Sequence, residues 1–173
     1  MFAHKSKHRA LLLNNKPTRG VTLIELLVVL VILSILAAAA MPYAEITIKR
    51  NKEVELHAAL RRIRTAIDDF HEDWKAGKII KDDDVASNDG YPVNLEIMIE
   101  GVDTTGIEGG KRYYLRRIPA DPFSDSSLEL SEQWNLRSYQ DEPGTTSWGG
   151  EDVYDIASKS ERTAIDGTKY KDW

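Results

Sequence analysis

The 173-residue sequence contains no cysteine. That excludes disulfides, thiolate zinc sites, cysteine-held iron–sulfur clusters and a cysteine nucleophile. Histidine is scarce, with four residues, and His4 and His8 lie in a basic N-terminal arm. No HExxH, GxSxG or glycine-rich phosphate loop occurs, so the common metal, acyl-transfer and nucleotide chemistries lack their residues. Basic residues are outnumbered 23 to 28, for a formal net charge of −5. A nucleic-acid binder carries a basic footprint, so nucleic acid is not an expected partner. Acidic residues are missing from residues 1–20, which hold Lys5, Lys7, Arg9, Lys16 and Arg19. The rest of the chain holds 18 basic and 28 acidic residues. A basic head before an acidic body reads as a membrane-targeted chain with its head in the cytoplasm.

Between head and body lies Val21 to Met41, in which 18 of 21 residues are apolar and Thr22, Glu25 and Ser34 are the exceptions. At about 1.5 Å per residue, a helix of this length spans roughly 30 Å, the thickness of a bilayer core. A secretory signal has a shorter apolar region, about 7–15 residues, followed by a small-residue cleavage site. Ala37 to Ala40 imitates such a site, so removal by ordinary signal peptidase is the competing reading. Glu25 is the anomaly, because an ionisable side chain inside a span costs a few kcal/mol and marks a functional position by default. The alternative is that Glu25 sits hydrated among the headgroups.

The run Arg19-Gly20-Val21-Thr22-Leu23-Ile24-Glu25 resembles the start of type IV pilins and pseudopilins. That family has a basic leader ending in Gly, then a hydrophobic residue, Thr, Leu, Ile, Glu and a long apolar helix. The resemblance implies cleavage between Gly20 and Val21 by prepilin peptidase, and methylation of the new Val21 amine by the same enzyme. Glu25 becomes the fifth residue of the processed chain, as the family pattern requires. Val replaces the commoner Phe or Met at the first processed position, and the 20-residue leader is long for the family. The family role of Glu25 is to pair with the amine of a neighbouring copy, which would set register during filament growth. Each charge is costly alone in lipid and less so when paired. Pro42 matches a common family proline where the helix loosens in assembled filaments. Read by itself, it is a kink at the membrane exit.

After Pro42, residues 43–75 contain no Gly or Pro. Leu56, Leu60, Ile63, Ile67, Phe70 and Trp74 form one apolar stripe at helical spacing. Arg61, Arg62, Arg64, Asp68, Asp69, Glu72 and Asp73 are assigned to the other, solvated face. One helix over about 22–75 is therefore expected, capped by Gly77. Its stripe is expected to pack on a sheet rather than in a coiled coil, which would need more heptads. His57 and His71 lack a metal partner one turn on, so both are read as structural.

Residues 78–92 read as a polar loop with a turn at Asn88 to Pro92. Val93–Glu100 reads as a short helix, and Trp134–Tyr139 and Val153–Ala157 as strands. Trp74, Trp134, Trp148 and Trp173 are packing candidates. Three features are similar to the major pseudopilins of type II secretion systems: Asp89-Gly90-Tyr91-Pro92, Tyr114-Leu115, and Ile118-Pro119-Ala120-Asp121-Pro122-Phe123. Those proteins close their C-terminal region with a bound calcium ion where pilus pilins use a disulfide. The matching positions here are Ser158, Ser160 and Asp166, with Lys159 adding a positive charge. Calcium takes six to eight oxygens, several of them charged, so these three would make a weak site. Asp152 and Asp155 would contribute only if the loop folds back on them.

The expected fold is α+β: a long N-terminal helix, half membrane anchor and half amphipathic, on a small antiparallel C-terminal sheet, as in type IV pilins. The expected parts are a cleaved leader over 1–20, an anchoring and assembly segment over 21–42, and a periplasmic globular body over 43–173. The resemblance implies a non-enzymatic subunit of the bacterial inner membrane, with its N-terminus cytoplasmic, that polymerises into a helical pseudopilus driving export across the outer membrane. Its partners would be further copies of itself, minor pseudopilins, prepilin peptidase, an inner-membrane assembly platform and membrane lipid. A type IV pilus pilin or minor pilin is the alternative within the family. A signal-anchored periplasmic enzyme or binding protein is the alternative outside it, and it lacks a catalytic constellation.

Overall fold

A computed structural model of the chain describes residues 20–106, 109–145 and 147–173. The basic leader, apart from Gly20, lies outside the described residues. The layout is α+β, with one long N-terminal helix and small antiparallel sheets. Two units are distinguished, residues 1–43 and 44–173.

Helix α1 runs from Leu23 to Lys75 and contains Pro42 without ending there. In the first unit, the large apolar side chains from Val21 to Leu36 are exposed. α1 contains the one helix segment, among the described residues, that is long and apolar enough to cross a membrane.

The second unit has its own core. Leu56, Ala59, Leu60, Ile63, Ala66, Ile67 and Phe70 of α1 are buried, which reproduces the expected stripe. Trp74, the last expected member, is half-buried. The helix ends in a Schellman turn: Gly77 has φ 66°, its N–H donates to the Trp74 carbonyl, and the Lys78 N–H donates to the Asp73 carbonyl. Packed on the stripe are Leu95, Met98, Leu115, Ile118, Trp134, Val153, Ile156 and Tyr170. Each such side chain contributes about 1.5–3 kcal/mol by leaving water. A second cluster of Phe70, Ile79, Ala86 and Val102 closes the C-terminal end of α1.

The expected helix over Val93–Glu100 is shorter. α2 spans Ile97–Glu100, and the Asn94 side chain accepts from the Ile97 N–H at 3.0 Å. An Asn in that position favours a turn over an earlier helix start. A hairpin of β1 (Val102–Asp103) and β2 (Lys111–Arg112) follows, which the sequence reading did not contain. β3 (Trp134–Arg137) and β4 (Asp155–Ser158) are the two expected strands, one shorter and one displaced toward the C-terminus. They pair antiparallel with Trp134 opposite Ser158 and Leu136 opposite Ile156. The indole N–H of buried Trp134 donates to the Pro119 carbonyl at 3.0 Å. Trp148 is a correction: it is exposed, not packed.

Asp73 is a further correction, since it was expected on the solvated face and is only 3% exposed. It stands three residues after Phe70, so it continues the core stripe. Its carboxylate pairs with Lys78 at 3.0 Å and with Arg112, and accepts from the Tyr114 hydroxyl at 3.1 Å. Burial pushes the Asp73 carboxyl up, but the Lys78 and Tyr114 hydrogen bonds and the two cationic charges outweigh it and hold the group below its ordinary value.

Residues 160–173 fold back onto α1. Glu53 accepts from the Tyr170 hydroxyl and the Ile165 N–H, both at 2.8 Å. Arg64 donates to Asp155 at 2.7 Å and to the Trp173 carbonyl at 2.6 Å. The Trp173 ring stacks on His57 at 4.0 Å. Burial, then the hydrogen bond to Glu53, pushes the Tyr170 hydroxyl well above its ordinary range, so it stays a donor at every physiological pH.

Candidate processing and assembly site

Residues 20–25 open the first unit. The Thr22 hydroxyl accepts from the Glu25 N–H at 3.3 Å, and the Thr22 carbonyl accepts from the Leu26 N–H at 3.2 Å. Thr22 is therefore the N-cap of α1, and Glu25 stands in its first turn. The pattern Thr22-Leu23-Ile24-Glu25 is a capping-box sequence, a signal the sequence reading missed. The start of a helix is electropositive and favours an acidic side chain.

The three polar side chains of the apolar run differ in one respect. Thr22 caps the helix, and the Ser34 hydroxyl donates to the Leu30 carbonyl at 2.7 Å. Each engages the backbone of α1, Thr22 as an acceptor and Ser34 as a donor. The Glu25 carboxylate has no hydrogen-bond or ion-pair partner among the described residues. It is exposed and surrounded in sequence by exposed apolar side chains.

Gly20 is exposed, and a Cβ added there meets nothing within 4 Å. Nor is it among the glycines with positive φ. The fold therefore makes no demand for glycine at this position. Gly90 is the contrast: its φ is 82°, and an added Cβ would collide with the Trp74 ring. Pro42 lies within α1 and supplies no N–H to the Ala38 carbonyl four residues back.

The residues expected around calcium have other engagements. Ser158 is fully buried; its hydroxyl donates to Asp121 at 2.6 Å and accepts from the Ser160 N–H at 3.0 Å. Asp121, also buried, accepts from the Phe123 N–H, and its own N–H donates to Gln133. Asp166 is exposed and accepts from the Thr168 hydroxyl at 2.7 Å and N–H at 2.9 Å. Those two bonds hold its carboxyl below the ordinary value. The two serines are thus together, and no hydrogen bond joins Asp166 to either. Lys159 donates to the Glu132 carbonyl at 2.5 Å. Asp152 is buried and accepts from Ser87 and from the Tyr139 N–H, while Asp155 pairs with Arg64 and Arg137. Among the described residues no group of three or more His, Asp or Glu is placed to hold a metal ion.

Residues 15–41 match the family model described as the prokaryotic N-terminal methylation motif. No curated protein matches the chain. No solved structure matches it.

Proposed function

We propose that this chain is a filament subunit of the pilin and pseudopilin type, processed by prepilin peptidase between Gly20 and Val21 and methylated on the Val21 amine. The observation that carries this reading is the Glu25 carboxylate. It lies unpartnered among the described residues, within an exposed apolar helix and within the stretch that matches the methylation motif. The free Cβ position at Gly20 supports it, because a glycine that the fold does not need is one that a processing enzyme can need.

Cleavage would create an α-amine with an ordinary pKa near ~8. That cation would stand at the electropositive start of α1, beside the Thr22 cap. A carboxylate on a neighbouring copy would relieve it, and Glu25 is the acidic residue available in the apolar run. The exposed apolar side chains would be covered first by lipid and then by other copies of the same helix. Pro42 would let the helix loosen as it leaves lipid.

Of the filaments this start serves, we favour a type II secretion pseudopilus, a structural role without catalysis. The absence of cysteine and the Asp121-Pro122-Phe123 segment, whose Asp121 anchors Ser158, support that choice over a surface pilus. The chain would sit in the inner membrane with its body in the periplasm. It would work with minor pseudopilins and an inner-membrane assembly platform. With Ser158 committed to Asp121, we propose that the body folds without bound calcium.

The test is intact mass and N-terminal sequence of the chain from membranes of cells that make it natively. A chain beginning at Val21 and carrying one added methyl group is the expected result. A start at Met1 or near Pro42 overturns the reading. Glu25→Gln is expected to stop filament growth while leaving cleavage unchanged; normal filaments would remove Glu25 from the mechanism.

A further inference from the structure

We propose that an open recess of the body, rimmed by Lys49, Lys52 and Arg162, binds the phosphate headgroup of an anionic phospholipid in the leaflet that the body faces. The inference rests on the membrane-anchored reading above and adds a lipid class and a site to it.

The recess has a volume of about 440 Å³ and lies wholly within the second unit. Ordinary small-ligand sites occupy about 300–1,000 Å³. Glu45, Ile48, Lys49 and Lys52 of α1 line it together with Phe123 and Arg162. Part of this lining is apolar. Phe123 is stacked on the buried Tyr170 ring at 4.0 Å, and Ile48 is exposed. The Lys52 ammonium stands 5.8 Å from the centre of the Phe123 ring.

The side chains of Lys49, Lys52 and Arg162 make no hydrogen bond or ion pair among the described residues. Nearby acids are engaged elsewhere: Glu53 holds Tyr170 and Ile165, and Glu161 pairs with Lys171. Glu45 is the acidic residue of the lining, so the recess carries three positive charges against one negative. Three cations without acidic partners, set around apolar surface, complement an amphiphile with a negative head. A wholly polar anion would leave Ile48 and Phe123 uncovered.

The place of the recess in the chain selects its occupant. Glu45 follows Met41, the last residue of the apolar run, by four positions. Four residues reach at most ~14 Å, whatever the angle of the chain at Pro42. A recess tethered this close to a bilayer meets lipid phosphates at an effective concentration independent of any bulk supply. Lysine and arginine stems are long enough to carry their charges toward the interface. These cations also run against the usual distribution. Basic residues within about 15–20 positions of a span concentrate on its cytoplasmic side. Lys49, Arg50 and Lys52 stand eight to eleven residues beyond Met41, on the proposed outer side. A headgroup contact accounts for cations there.

The full chain is extracted from its membranes in neutral detergent and given equal parts of phosphatidylglycerol and phosphatidylcholine. Native mass spectrometry counts the lipids that stay bound. The native chain is expected to prefer phosphatidylglycerol about tenfold. Lys49→Gln, Lys52→Gln and Arg162→Gln together are expected to abolish that preference. Arg61→Gln, Arg62→Gln and Arg116→Gln remove the same charge from exposed residues outside the recess. They are expected to leave the preference within about twofold. Glu45→Gln is expected to raise it about threefold, and it reads the site even if the triple recess variant melts early. The inference is overturned if the native chain shows no preference, or if the arginine set lowers it as far as the recess set. It is equally overturned if Glu45→Gln fails to raise it. Displacement of the lipid by millimolar inorganic phosphate overturns a lipid as the occupant. Intact mass of the same sample separates the two levels. A chain starting near Pro42 removes the membrane reading, whereas a membrane-held chain without the preference removes only the site.

Discussion

The apolar segment and the globular body satisfy their side chains in opposite ways. In the body, Leu56, Ile63 and Phe70 are fully buried, and no buried side-chain nitrogen or oxygen of the described residues lacks a partner. In the apolar segment, Leu23, Leu30 and Leu36 are each more than 60% exposed, and the Glu25 carboxylate has no partner among the described residues. The body is stabilised by its own contacts. The segment has to be completed by something else, lipid or other copies. The difference is between a segment whose apolar side chains are exposed and a body that buries its own.

The contrast can be broken most sharply with one substitution made in both regions. Leu60→Asp is expected to unfold the body, because an unpaired carboxylate in a packed core costs more than ~4 kcal/mol. Leu30→Asp is expected to leave the melting of the detergent-solubilised body within about 0.5 kcal/mol. Its effect appears instead as a loss of membrane-integrated chain, since Asp costs about 3 kcal/mol at a helix centre on insertion scales. Tryptophan fluorescence and membrane fractionation read the two outcomes, and equal effects on melting would erase the distinction.

Asp73→Ala comes next, at about 2 kcal/mol, because it leaves the Tyr114 hydroxyl without its acceptor, while Lys78 and Arg112, both largely exposed, turn to water. The folded Asp73 carboxyl lies below its unfolded value. Its stabilisation is therefore full above pH ~4 and is lost as pH falls through the lower folded value. Thermal melts between neutral pH and pH ~3 should show the native chain losing more stability than the variant. Parallel curves would mean that Asp73 is not the group responsible.

Glu53→Leu should cost about 1–2 kcal/mol, because it removes the oxygen that accepts from both Tyr170 and Ile165. A double-mutant cycle with Tyr170→Phe isolates the pair, and a coupling near zero would show that residues 160–173 are held by packing alone. The smallest expected effect is that of calcium. Millimolar calcium should move the melting temperature by less than ~1 °C, well under the ~4–8 °C that 1 kcal/mol produces in a small domain. A rise of several degrees would mean that Ser158 and its neighbours rearrange around an ion.

Much of this was legible because it repeats along the chain. The stripe from Leu56 to Phe70 has helical period, and the buried residues follow it. Gly77 and the turn before Pro92 were readable because left-handed backbone favours glycine. Asp73 was misplaced because a charged residue was assigned by type, although its spacing from Phe70 puts it on the core stripe. The β1–β2 hairpin was missed because two-residue strands carry no periodic signal. The ends of β3 and β4 moved because pairing, with Arg137 opposite Asp155, fixes them more than composition does. At the start of the chain, the sequence from Gly20 to Glu25 was enough to raise cleavage and assembly. The Thr22 cap is equally present in the sequence, as the three-residue spacing of Thr22 and Glu25.

The fold-back of residues 160–173 also sets a clock. Arg64 waits 109 positions for the Trp173 carbonyl, and Glu53 waits 117 for the Tyr170 hydroxyl. At about 5–20 residues per second, a ribosome takes roughly 5–20 s to cover that stretch. Until then part of the stripe on α1 has no cover, while the apolar segment ahead of it is already made. The exposed apolar segment is thus synthesised first, and the body completes these contacts only after that segment has been available for several seconds to whatever covers it.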